Sequence, residues 1–294
     1  MVTMNALCVR CQIDKHTPVA HGMDPVKANY FFKDFLPLLQ SAVGCANSCR
    51  LDSDLKKLYR KHFGNSGIDY TEEKKISNEF VLPRLPQIRA LVEKQQDPVF
   101  AALQFAILGN YLDFSALKGQ VSFEKFEELL TNGLSMELPV DTYKAFCDDL
   151  KNANTLLYVT DNAGEIGFDR IFAEQLQKAF PHLQITFCVR GAPTLNDATR
   201  EDAAIMGIPF PVIDTGNDIC GVEIGMLGAE AEHALYTADV ILTKGMGNVE
   251  TLYGCGLNIY YAFLVKCDRI MEVFQKPLLT PMLVREQDIY CSES

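Results

Sequence analysis

Five short apolar runs in the second half of the chain, at 155–159, 184–189, 209–213, 239–243 and 258–265, alternate with stretches of helical periodicity. Strands alternating with helices imply right-handed βαβ units and a mainly parallel sheet. Such a sheet needs helices on both faces, which gives a three-layer α/β/α sandwich. Each run stays apolar until its last residue and then meets charged or amide side chains. Parallel strands place those ends along one edge, where ligands bind in open α/β sheets. That edge is expected to gather Asp161, Asn162, Asp197, Asp214, Lys244, Asn248 and Lys266.

The first of these turns is the most informative. It reads Asp161-Asn162-Ala163-Gly164-Glu165, and Phe168, Ile171, Phe172, Leu176 and Phe180 follow at helical spacing. One of its acids or its amide alone would be an ordinary helix cap. Two carboxylates and an amide together are hard oxygen donors that suit Mg²⁺ or Mn²⁺. The helix behind them would aim backbone N–H groups at the same place. Acids for a cation and lysines for an anion, in one crevice, suit a metal–phosphate pair. Gly245 and Gly247 would let the backbone approach a ligand. Lys244 precedes its glycines, so this is not a P-loop, and no G-x-G-x-x-G follows the first strand.

The rest of the chain bounds the function. Its 294 residues carry a net charge of −11, which argues against a nucleic-acid or anionic-membrane surface. No apolar run reaches the length of a membrane span, and the first twenty residues lack a signal-peptide core. The ten cysteines are therefore expected to be reduced thiols in the cytoplasm. Cys8-x-x-Cys11 and Cys45-x-x-x-Cys49 either hold a structural zinc or are plain thiols near helix ends. Residues 24–150 read as helical, with Asp24-Pro25 and Asp97-Pro98 as start signals. Further helices are expected at 52–62, 72–93 (bent at Pro83 and Pro86), 123–130 and 142–150, with loops at 64–69 and 118–120. Asn110 and Asp113, three apart near the end of a buried helix, either cap a neighbouring turn or reach a site. In the second half, helices are expected at 199–206 and 223–236 and a last strand near 282–284. Two domains are expected, a helical one over 1–152 and an α/β/α one over 153–294.

Three blocks taken together resemble one family. Asp161-Asn162-Ala163-Gly164-Glu165-Ile166, Arg190-Gly191-Ala192-Pro193 with Asn196-Asp197, and Lys244-Gly245-Met246-Gly247-Asn248 with Glu250 are similar to signature blocks of the metal-dependent damage-control phosphatases, the family long known as domain of unknown function 89. Gly109-Asn110 with Asp113, and Lys266-Cys267, resemble two further blocks, and Cys8-x-x-Cys11 resembles the archaeal and bacterial branch. The resemblance implies hydrolysis of small phosphorylated metabolites with Mg²⁺, Mn²⁺, Co²⁺ or Ni²⁺. It implies that Asp161, Asn162 and Asp197 bind the metal and that Lys244 holds the phosphate. Arg190 and Lys266 would offset the remaining phosphate charge, and Glu165 is a candidate for orienting a water if water, rather than a carboxylate, attacks. Asn110, Asp113, Asn196, Gly245, Asn248 and Glu250 are the further substrate-side candidates. Rival readings are a sensor that binds phosphometabolites without turnover and a carboxyl methyltransferase. A redox role for Cys8 and Cys11 lacks the usual strand-to-helix setting.

Overall fold

The computed structural model describes residues 1–113 and 122–291, so the loop expected at 118–120 lies outside the described residues. The helices before the first strand are α1 (Ala6–Met23), α2 (Pro25–Ala42), α3 (Ser48–Phe63), α4 (Thr71–Val81), α5 (Leu85–Val92), α6 (Pro98–Gly109), α7 (Phe123–Thr131) and α8 (Val140–Asn152). Asp24 and Asp97 cap α2 and α6 as their sequences suggest, Asp24 Oδ1 accepting from the N–H groups of Val26 and Lys27, and Asp97 Oδ1 from that of Phe100. Strands β1 (Thr155–Val159), β2 (Gln184–Val189), β3 (Val212–Asp214), β4 (Val240–Lys244), β5 (Ile259–Leu264) and β6 (Pro281–Arg285) then alternate with α9 (Glu165–Ala179), α10 (Arg200–Ile205), α11 (Ala229–Thr237), α12 (Gly245–Leu252) and α13 (Asp268–Phe274).

The strands form one sheet in the order β3-β2-β1-β4-β5-β6, parallel except for the antiparallel pairing of β5 with β6. The chain winds from β1 out to β3 and then returns to the other side of β1. The strand order therefore reverses between β1 and β4, which opens a crevice beyond their carboxyl ends.

Alternate strand residues face opposite sides. Leu156, Tyr158, Phe187, Leu242 and Tyr260 turn to one face and share a core with α4 to α10. Leu157, Val159, Ile241, Tyr261 and Phe263 turn to the other, against α11, α12 and α13. The α/β class and the layers on both faces thus follow the apolar pattern of the strands. Helices α1, α2 and α3 have a separate core built on Phe31, Phe35, Leu51, Leu55 and Tyr59. Residues 1–152 consequently feed more than one core. Among the described residues, no helix is long and apolar enough to cross a membrane.

Some elements differ from the expectation. Helix α1 was not anticipated, because Pro18 lies inside it and breaks the usual interior pattern. Its start is set by Asn5, whose Oδ1 accepts from the N–H groups of Leu7 and Cys8. The helix expected at 223–236 begins only at Ala229, since Gly225 takes a positive φ of 83° before it. Helix α12, which begins at Gly245 itself, is not among the expected helices.

Phe168 is fully buried on α9, and it lies 2.8 Å from where a Cβ on Gly109 of α6 would sit. Phe168→Ala should cost about 3–5 kcal/mol of stability, read as a lower denaturant midpoint, whereas a loss under about 1 kcal/mol would mean this helix pair is loosely packed.

Candidate active site

The turns after β1 and β2 are tied together by backbone. Asn162 and Asp197 form an isolated antiparallel bridge. Ala198 N–H donates to the Asp161 carbonyl at 2.7 Å, and Ala163 N–H donates to the Asn196 carbonyl at 2.9 Å. Two turns 35 residues apart in sequence are thereby held side by side, and Asp161, Asn162 and Asp197 line one cavity of about 310 Å³.

Each acid in this group is anchored by one oxygen. Asp161 Oδ2 accepts from Asn110 Nδ2 at 2.8 Å and from Asn162 Nδ2 at 2.7 Å. Asp197 Oδ2 accepts from Arg190 Nε at 2.6 Å. Among the described residues, Oδ1 of each carboxylate has no hydrogen bond; Arg190 Nη2 stands 4.0 Å from Asp161 Oδ1. Burial pushes the Asp161 carboxyl well above the usual carboxylate range, and the charges of Glu165 and Asp197 push it further. Burial also raises Asp197, although Arg190 opposes that. Two buried acids with free oxygens on one cavity form a donor set that a cation would relieve. Asn162 adds an amide, its Oδ1 accepting from Asn196 Nδ2 at 2.9 Å. Among the described residues, no three His, Cys, Asp or Glu side chains converge as a metal cluster; the donor set here is two carboxylates and an amide. These residues fit a hard divalent cation.

Gly245 explains part of this placement. Its φ is 74°, and a Cβ there would lie 1.9 Å from Asp161 Oδ2. A Cβ on Gly247 would lie 2.0 Å from the Cys220 carbonyl oxygen. Both glycines therefore admit the protein's own groups, where the sequence suggested room for a ligand.

The basic residues are distributed differently from the expectation. Lys244 is fully buried behind the turn, not on the cavity wall. Its Nζ donates to the Ala106 carbonyl (2.7 Å), Glu165 Oε1 (2.7 Å) and Asp169 Oδ1 (2.8 Å), which uses all three hydrogens. Glu165 is buried beside it and accepts from Asn110 Nδ2, Asn162 Nδ2 and Lys244 Nζ, so it does not face the cavity to orient a water. Arg190 sits behind Asp197 and donates Nη2 to Asn248 Oδ1 at 3.1 Å. Asn248 also donates to the Thr160 and Lys244 carbonyls. Asn196 and Asn110 brace the turn, Asn196 through the Leu112 carbonyl and Asn110 through Leu264 N–H. The α9 N-terminus is likewise capped by protein, since Gly164 N–H donates to Asn78 Oδ1 at 2.8 Å. Asp214 is not brought to this site; it pairs with Arg200.

Besides Asp161, Asn162 and Asp197, the expected residues Asp113, Glu250 and Lys266 line the cavity. Lys266 Nζ donates to the Asn110 carbonyl at 2.8 Å and to Asp113 Oδ2 at 2.6 Å. Glu250 accepts from Ser48, and burial raises its carboxyl. The fourth wall comes from α1, through residues such as Leu7, Gln12 and Lys15, which sequence reasoning missed. Asp169 was missed as well, although it stands one helical turn after Glu165 and so on the same face. Burial raises its carboxyl to about 6 against the pull of Lys244.

Among the described residues, the cysteines do not gather with other ligands into a zinc site. Cys8 and Cys11 line the cavity, Cys45 is exposed, and buried Cys49 donates its S–H to the Cys220 carbonyl at 3.0 Å. All nine described cysteines are free thiols.

The chain is similar to known proteins. Residues 10–279 match the model of the damage-control phosphatase ARMT1-like domain. The chain is 36% identical over 228 residues to an uncharacterized protein of Methanocaldococcus jannaschii, covering 73% of this chain and 72% of that one. It is 30% identical over 220 residues to a damage-control phosphatase of Archaeoglobus fulgidus, covering 73% and 75%. The crystal structure of a DUF89 family protein from Pyrococcus horikoshii superposes with a TM-score of 0.79 at 26% identity, over 97% of this chain and 100% of that one.

A carboxyl whose folded pKa is raised binds protons more tightly folded than unfolded. Its destabilising effect is absent below the unfolded pKa and grows as pH rises towards the folded one. Asp161→Asn, measured in chelator, should therefore melt several degrees above the native chain at pH 7, with the gap narrowing towards pH 5. A lower melting temperature for the variant at pH 7 would show that the ionised carboxylate is stabilising instead.

Proposed function

Because this chain belongs to the damage-control phosphatase ARMT1-like domain family, we propose that it is a metal-dependent phosphatase of small phosphorylated metabolites. One observation carries the reading: Oδ1 of Asp161 and Oδ1 of Asp197 are both free of hydrogen bonds among the described residues and belong to side chains on one cavity wall. Asp161, Asn162 and Asp197 would hold one divalent cation, Mg²⁺, Mn²⁺, Co²⁺ or Ni²⁺. When bound there, the cation would supply Lewis-acid polarisation of a phosphate oxygen.

The protein's own groups do the rest. Lys266 lines the same cavity and uses two of its three hydrogens on Asn110 and Asp113, leaving one N–H for a phosphate oxygen. This gives Lys266 the anion-binding part that the sequence suggested for Lys244. Lys244 instead holds Glu165 and Asp169 in place, and Glu165 in turn takes hydrogen bonds from both amides that orient Asp161. Arg190 fixes the Asp197 carboxylate while leaving its second oxygen for the cation. These contacts preorganise the donors before substrate arrives, so little reorganisation is needed during the reaction. Hydrolysis breaks the ester P–O bond and releases an alcohol and inorganic phosphate.

Phosphate release from p-nitrophenyl phosphate with Mn²⁺ separates hydrolysis from binding without turnover. Asp161→Asn and Asp197→Asn should each lower kcat by about 10²-fold or more, and chelator should abolish turnover in the native chain. Full activity in either variant counts against the donor set.

A further inference from the structure

Four cationic side chains line the cavity: Arg10, Lys15, Lys266 and Arg269. Three are matched by acids: Arg10 by Asp268 at 2.6 Å, Lys266 by Asp113 at 2.6 Å and Arg269 by Glu272 at 2.7 Å. Among the described residues, Lys15 has no carboxylate in ion-pair contact. Asp52, which lines the same cavity, is already paired with Lys56 at 3.2 Å. Lys15 Nζ instead stands 5.9 Å from the centre of the Tyr70 ring. Burial works against its charge, but its surroundings outweigh that, and it stays protonated at neutral pH.

Its position is equally informative. Lys15 and Asp52 border both the main cavity and a small adjoining one of about 20 Å³, which Tyr59 and Tyr70 also line. Asp161 and Lys266 border only the main cavity. Arg190, at 4.0 Å, and Lys266 are the cations that act on Asp161, whereas Lys15 Nζ stands beside the Tyr70 ring. The cavity therefore has two cationic ends, one at the acid turns and one on α1. A half-buried ammonium that lines a cavity with no carboxylate in ion-pair contact keeps N–H donors available to an anionic ligand.

We propose that Lys15 recognises a second anionic group of the substrate, so that the preferred class is phosphorylated metabolites carrying a carboxylate or a second phosphate besides the ester that is hydrolysed. This rests on the phosphatase reading above. Lys15 is then a specificity-determining residue, remote from the reacting phosphorus.

Three probes test it with Mn²⁺: 6-phosphogluconate, which adds a carboxylate; glucose 1,6-bisphosphate, which adds a phosphate; and glucose 6-phosphate, which adds neither. The native chain should show a KM about tenfold lower for at least one of the first two than for glucose 6-phosphate. Lys15→Met should remove that advantage, raising KM for the doubly anionic probe about tenfold with kcat little changed, while glucose 6-phosphate and p-nitrophenyl phosphate stay as they were. Lys15→Arg should restore most of it. Which of the two probes responds identifies the second anion. Equal loss on all substrates, or no change on any, overturns the proposal. If the native chain releases phosphate from no ester, the phosphatase reading has failed, and calorimetry of 6-phosphogluconate and glucose 1,6-bisphosphate then decides the role of Lys15. Tight binding that Lys15→Met abolishes supports it, and binding that is absent or unchanged by the variant refutes it.

Discussion

The backbone bridge between the turns after β1 and β2 is the constraint on which the site depends. Without the paired contacts of Ala198 N–H with the Asp161 carbonyl and Ala163 N–H with the Asn196 carbonyl, the two acids would sit on independent loops. The bridge makes their separation a property of the sheet, because both turns continue adjacent parallel strands in register. Loops positioned by a rigid scaffold can hold side chains that repel one another. Asp161 and Asp197 do repel, and the β1–β2 pairing absorbs that repulsion.

A second layer of polar groups keeps those acids oriented. Asn110, Asn162 and Asn248 each bridge two or more partners, and none of them is exposed. Buried amides of this kind can donate and accept at once, so they link carboxylates to carbonyls without adding charge. The consequence is a site whose rigidity comes from α6, β4 and β5 as much as from the turns that carry the donors.

Much of this was legible in the sequence, and the remainder was hidden for identifiable reasons. The strands could be read because they are buried on both faces, and the acid turn could be read because polarity changes abruptly at Thr160. Asp161, Asn162 and Asp197 follow from that, since strand order alone brings strand ends together. The direction of a long side chain does not follow. Lys244 ends β4 at the right edge, yet its stem runs back between α6 and α9 to reach Ala106, Glu165 and Asp169. Helix α1 was invisible as a wall of the site because its approach is a tertiary event. It is held by a core of its own with α2 and α3 and also packs against α13. Helix α12 was hidden by its glycines, which are poor helix formers; at 245 and 247 they are required by crowding.

Charge counting supports the proposed divalent cation over another lysine at this place. The connected network behind and around the cavity contains five carboxylates, on Asp113, Asp161, Glu165, Asp169 and Asp197, and three cations, on Arg190, Lys244 and Lys266. Among the described residues of this network the excess is two negative charges (five minus three), which one divalent ion would offset. Without it, some of these groups must take up protons, and the raised Asp161, Asp197 and Asp169 carboxyls express that tendency. A fourth lysine would neutralise only one charge and would fill the cavity that the substrate needs. A small doubly charged ion neutralises both and keeps open positions for phosphate. Arg190, Lys244 and Lys266 lie behind or beside the donors, so the uncompensated charge of this network falls on the oxygens of Asp161 and Asp197 that have no hydrogen bond among the described residues.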